Sequence, residues 1–204
     1  MSTCSDGATI VSQVTTAEGA RIRVCTATGD WTATSVESLL RANAIDLDVV
    51  GPRLTIEVTT SRPSSTGSSA SCCDVSGNYY GFRSTVSLNP SSTSSFANAP
   101  DAVLAHEYGH AWSSYWLYTN PANRGSWAAY ENARWTNADG SEVLATSAKR
   151  NTSYVWTTHE MIADDYRRLF GSPTAQSQLT YLNGSVPDSK QVAGLTSFFL
   201  DEWR

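Results

Sequence analysis

The pentapeptide HEYGH at positions 106–110 places two of the three histidines four residues apart, with a glutamate directly after the first. On an α-helix, positions i and i+4 share a face, so His106 and His110 can present two imidazoles to one ion. Glu107 is rotated off that face and stands beside the ion, where it can take a proton from water. A catalytic zinc site needs one more protein ligand and one open position for that water. Without a third ligand, the same letters read as an exposed helix turn that happens to carry two histidines.

The elongated pattern HExxHxxGxxH does not supply that ligand, because Ser113 stands at its glycine and Trp116 at its third histidine. The remaining histidine is His159, followed by Glu160, with Asp164 one helical turn further on. Each has an alternative role. Glu160 sits at capping-box spacing from Thr157 and can reach back to its amide. His159 can itself be the third ligand, or sit at a cap or on the surface. Asp164 can be a solvated helix charge, or can receive the free N–H of a ligand histidine.

Along the chain, hydrophobic alternation predicts strands at 19–27, 52–60 and within 79–90, where Phe82, Val86 and Leu88 share a face. Residues 35–47 read as an amphipathic helix with Thr34 as N-cap and Glu37 at capping-box spacing. Residues 61–78 and 91–100 read as polar loops. Pro100 and Asp101 open a helix that runs through HEYGH to about Tyr118. Further helices are expected at 126–135, at 158–171, stopped by Gly171 and Pro173, and at 188–203. Gly109 costs about 1 kcal/mol relative to alanine inside a helix, so a close approach by some neighbour is expected there. Strands come first and helices later, which gives an α+β fold. The 204 residues suit one domain, with a strand-rich part at 1–98 and a helical part at 99–204.

The net charge of −5 and the lack of a basic stripe argue against nucleic acid as a partner. No apolar run reaches the roughly 18 to 20 residues of a membrane span. The low charged fraction (16%), only two lysines and four cysteines favour an exported protein whose signal peptide is absent from this sequence. A bond between neighbours Cys72 and Cys73 would close a strained ring. Each is therefore expected to pair with Cys4 or Cys25, the alternative being four thiols in a cytosolic protein. Asn151 and Asn183 open weakly informative glycosylation triplets.

HEYGHAW followed by HEMIADDYRRLFG resembles the gluzincin zinc metallopeptidases, and is most similar to the secreted bacterial group of lethal-factor-type domains and Pro-Pro endopeptidases. The resemblance covers roughly residues 80–203 and is carried on the second helix by Glu160, Ala163, Asp164, Tyr166 and Arg167. It implies a compact zincin-like domain in which His106, His110 and Glu160 hold Zn²⁺, Asp164 supports a ligand histidine and Glu107 is the base. It also implies that the strand at FRSTVSLN forms the upper rim of the cleft and pairs with substrate. In that family a tyrosine in the loop before the glutamate stabilises the oxyanion. Ser153 holds its offset here, with Tyr154 one residue away. Tyr154 is thus the candidate donor unless it only packs against Trp156, and His159 takes the role if the thermolysin-like branch is the better guide. The expectation is a monomeric, secreted zinc endopeptidase acting on protein or peptide. Two alternatives stand beside it: a non-catalytic extracellular zinc module and a cytosolic regulatory metallopeptidase.

Overall fold

The computed structural model describes residues 3–25, 31–60, 67–73, 79–120, 126–135, 157–178 and 187–201, with the side chains of 67–73 and 79–80 left aside. Its sheet grows from short alternating runs. In β2 (Arg21–Val24), Ile22 and Val24 are fully buried, while Arg21 and Arg23 face outward. β3 (Leu54–Val58) repeats the pattern with Leu54, Ile56 and Val58, and β5 (Tyr79–Leu88) with Phe82, Val86 and Leu88. These three strands run parallel, with Ile22 opposite Ile56 and Ile56 opposite Val86. β1 (Ser12–Thr15) and β4 (Gly67–Cys73) add antiparallel edges, giving the order β1-β2-β3-β5-β4.

Two features of the sheet correct the reading from sequence. The 61–78 stretch is not all loop, because Gly67–Cys73 forms β4 on β5. β5 therefore has a neighbour on both sides and cannot be a cleft rim, and the edge beside it belongs to β4. The cysteines differ too. Cys4 pairs with Cys25, their Cα atoms 6.1 Å apart, so neither is available to Cys72 or Cys73. The 3–9 segment folds back on the sheet, where Ser5 N donates to both Glu57 carboxylate oxygens at 3.2 Å. That places Cys4 beside Cys25 at the end of β2.

The helices follow their caps. α1 (Ala33–Asn43) starts two residues earlier than expected, because Thr32 and Ser35 form the capping box, not Thr34 and Glu37. Glu37 is instead spent on a surface pair with Arg41. A short turn, α2 (Leu47–Val50), follows Asp46, whose backbone is left-handed at φ 52°. After α3 (Ser95–Asn98), α4 (Pro100–Thr119) runs through the histidines with Pro100 in its first turn. Fourteen of its 20 residues are buried, so it is a central rather than a surface helix. It packs on β4, β5 and α1, and on α6 (Thr158–Phe170) and α7 (Pro173–Gln178).

The remaining helices are α5 (Ala128–Trp135), α6 (Thr158–Phe170), α7 (Pro173–Gln178) and α8 (Leu195–Asp201). The expected 188–203 helix is divided into a 3₁₀ turn at Ser189–Gln191 and α8, with Gly194 at φ 81° between them. Its last apolar position, Trp203, lies outside the described residues. The core joins Ile22, Ile56 and Val86 of the sheet to Trp112 and Trp116 of α4, Ile162 and Tyr166 of α6, and Phe199 of α8.

Candidate metal centre

α4 and α6 cross where neither helix has bulk. A Cβ added at Gly109 would stand 2.9 Å from both Cα and the carbonyl oxygen of Ala163, and 3.0 Å from Tyr166 Cβ. Gly109 thus admits the α6 backbone, and α6 is the neighbour left unidentified by the sequence. α6 is then pinned along its length. Tyr166 Oη accepts from Ile45 N at 2.8 Å, next to the carbonyl of Ile45 that Tyr108 Oη reaches at 2.7 Å. Buried Arg167 donates to Asp164 Oδ1 and to the carbonyl of Ala175, both at 2.8 Å. Asp165, also buried, accepts from Tyr130 at 2.6 Å and from Ser189 at 2.9 Å, which ties α5 and the 187–191 segment to α6.

This docking carries Glu160, 54 residues beyond His106, to the histidine pair. His106 Nε2 lies 3.2 Å from Glu160 Oε2, and His110 Nε2 lies 3.5 Å from Oε1. The imidazoles stand edge to face, their centroids 4.7 Å apart. One ligand atom from each of the three residues lies within 4.8 Å of the other two, so the group can hold a metal ion. Thr157 Oγ1 caps the Glu160 amide at 3.4 Å, but the Glu160 carboxylate turns to the histidines and does not close a capping box.

The electrostatics follow from burying several ionisable groups together. Burial opposes a charge on His106, but Asp164, Glu160 and Glu107 outweigh it and raise its pKa to about 9. Burial lowers that of His110. Burial would raise the Glu160 carboxyl, yet the imidazoles of His106 and His110 hold it far below the ordinary range. Asp164 is likewise lowered against burial, by His106 and Arg167. Its Oδ1 stands 3.7 Å from His106 Nδ1, on the side of the ring away from Glu160. Glu107, one residue off the ligand face, is buried at 6% exposure.

His159 is partly at the surface, as its offset from Glu160 suggested, but it is not remote from the ligand histidines. Its ring stacks on His110 at 4.1 Å and 20°, with Trp127 edge-on at 6.3 Å, and its side chain stays 45% exposed. Burial of the stacked face, then the charge of His110, lowers its pKa to about 4. It does not join the three converging ligands. Because α6 docks closely on α4, the residue before Glu160 also comes against a ligand histidine, a tertiary fact that no local pattern encodes. Tyr154, Ser153 and Trp156, with the triplets at Asn151 and Asn183, lie outside the described residues. Comparisons of the chain with models of protein families, with curated proteins and with solved structures found no match.

Proposed function

We propose that the protein is a secreted zinc endopeptidase of the gluzincin kind, with His106, His110 and Glu160 as its metal ligands. The observation that carries this reading is the convergence of a distant carboxylate on the HEYGH histidines, with a second buried glutamate one residue off their face. Two imidazoles and one carboxylate form the donor set of open, catalytic zinc sites. A zinc ion held there supplies Lewis acidity, polarising the scissile carbonyl and making water acidic. Glu107 takes the proton of the attacking water and delivers it to the departing amine. Asp164 fixes the ring of His106 through Nδ1, which keeps Nε2 turned toward Glu160.

The substrate class that fits is an extended peptide. Among the described residues β4 is the outermost strand on its side of the sheet and packs on α4, so a peptide laid along its outer edge can pair with it. Among the described residues no helix is long and apolar enough to cross a membrane. The Cys4–Cys25 bridge is compatible with export. The test is incubation with a peptide library, with and without a chelator, cleavage sites being read by mass spectrometry. Chelator-sensitive cleavage within peptides, restored by zinc, is the expected result. Protein that carries one zinc per chain and cuts nothing would instead be a non-catalytic zinc module.

A further inference from the structure

On β2, β3 and β5 the residues that alternate with the core positions face the other side of the sheet. They help line an open cavity of about 330 Å³. Four arginines reach it: Arg21 and Arg23 from β2, Arg53 from the turn before β3, and Arg83 from β5. They face one carboxylate, Glu57, which is already engaged by Ser5 and, at 3.4 Å, by Arg23. Arg53 extends over the ring of Tyr115. Arg21 and Arg83 are exposed and make no ion pair among the described residues. In a chain of net charge −5, this is a local excess of positive charge among the described residues, with four arginines around the single carboxylate of Glu57.

We propose that this cavity is a binding site for a small polyanion, a molecule carrying two or more phosphate- or sulfate-type groups close together. Guanidinium groups grip such oxygens in pairs, which a lysine ammonium cannot do. The hydroxyls of Thr55 and Thr85, facing the same cavity, add neutral donors between the charges. The layout sets the ligand's shape. Arg21 and Arg23 stand two apart on one strand, about 7 Å, while Arg53 and Arg83 arise at β3 and β5, strands spaced about 4.8 Å apart. The charges are therefore spread over two dimensions. A compact polyanion matches that spread, whereas an extended acidic peptide offers its carboxylates along a single line. Arg21, Arg23, Thr55 and Thr85 lie on the face of the sheet away from the core, while Arg53 reaches round to Tyr115 of α4; none of these residues belongs to the metal centre.

The test uses the whole protein and two compact probes, sucrose octasulfate and fructose 1,6-bisphosphate, titrated by calorimetry at low and moderate salt. Saturable one-to-one binding that weakens with salt is expected for at least one probe, and which of them binds identifies sulfate or phosphate esters as the ligand. Arg21→Ala/Arg83→Ala should weaken it at least tenfold without moving the melting temperature. Arg41→Ala, which removes an arginine paired with Glu18 and Glu37 elsewhere, should leave it intact. The proposal is overturned if neither probe saturates, if Arg41→Ala weakens binding as much as the double variant, or if a hexaglutamate peptide binds as tightly as the better probe.

Discussion

At the scale of single residues, the proposed ligands and the proposed base make different demands on the metal. Glu107→Gln should leave metal content near one per chain while lowering kcat by about 10²–10⁴-fold, the usual contribution of a general base. Glu160→Ala should lose the metal by elemental analysis, and Asp164→Ala should weaken its binding by about 10- to 100-fold. Equal metal loss in Glu107→Gln and Glu160→Ala would remove the distinction between base and ligand. Protons give an independent reading. In the metal-free protein His106 keeps its proton up to about pH 9, above its ordinary 6.5. A ligand imidazole must be neutral, so metal uptake at pH 7.5 should expel about one proton, measurable by calorimetry in buffers of different ionisation enthalpy. The release should fade above pH 9. A raised folded-state pKa stabilises the metal-free fold fully below pH 6.5, and that stabilisation is lost as pH rises through about 9. The metal-loaded protein should lack this loss. His106 and His110 were legible because i, i+4 spacing is local. Glu160 needed a resemblance, since only the docking of α6 brings it near.

At the scale of elements, the crossing of α4 and α6 at Gly109 and Ala163 sets the spacing of the three candidate ligands. Gly109→Ala gains about 1 kcal/mol of helix propensity but drives a Cβ into the backbone of Ala163, and such overpacking costs about 1–3 kcal/mol. The obstacle is backbone, which cannot rotate away, so the helices must separate. The expected outcome is a lower melting temperature together with weaker metal binding. An unchanged metal affinity would show that Glu160 follows the histidines without the close contact. Gly109 was visible in the sequence as a cost without a reason, and the reason is α6. β4 was not visible. GSSASCC has the composition of a loop, and its strand state comes from the ladder with β5. The sequence pattern did give β2, β3 and β5, whose Ile22, Ile56 and Val86 alternate cleanly. It overran α1, which stops at Asn43.

At the scale of the whole molecule, the Cys4–Cys25 bridge joins positions 21 residues apart and holds the 3–9 segment against the sheet. Closing a loop of that length removes about 3 kcal/mol of unfolded-state entropy. Cys4→Ser/Cys25→Ser should therefore lower the denaturant midpoint by a corresponding amount, with metal content retained because α4 and α6 lie elsewhere. Digestion without reductant should yield a linked peptide containing both residues, and peptides joining Cys4 or Cys25 to the 72–73 pair would contradict this connectivity. Four cysteines could not specify their pairing, which the return of the 3–9 segment over β2 and β3 decides.

The 54 residues between His106 and Glu160 are also an interval of time. At roughly 5–20 residues per second, a ribosome that has added His106 needs about 3 to 11 s to add the carboxylate that completes the triad. During that interval the growing chain carries two imidazoles and a neighbouring glutamate, but not the site that would make them reactive. Arrival of α6 completes the triad, and its anchors at Ile45 and Ala175 mean that it docks only onto a nearly finished fold. If the centre hydrolyses peptides as proposed, assembly this late leaves it inactive while the chain up to α6 is being made.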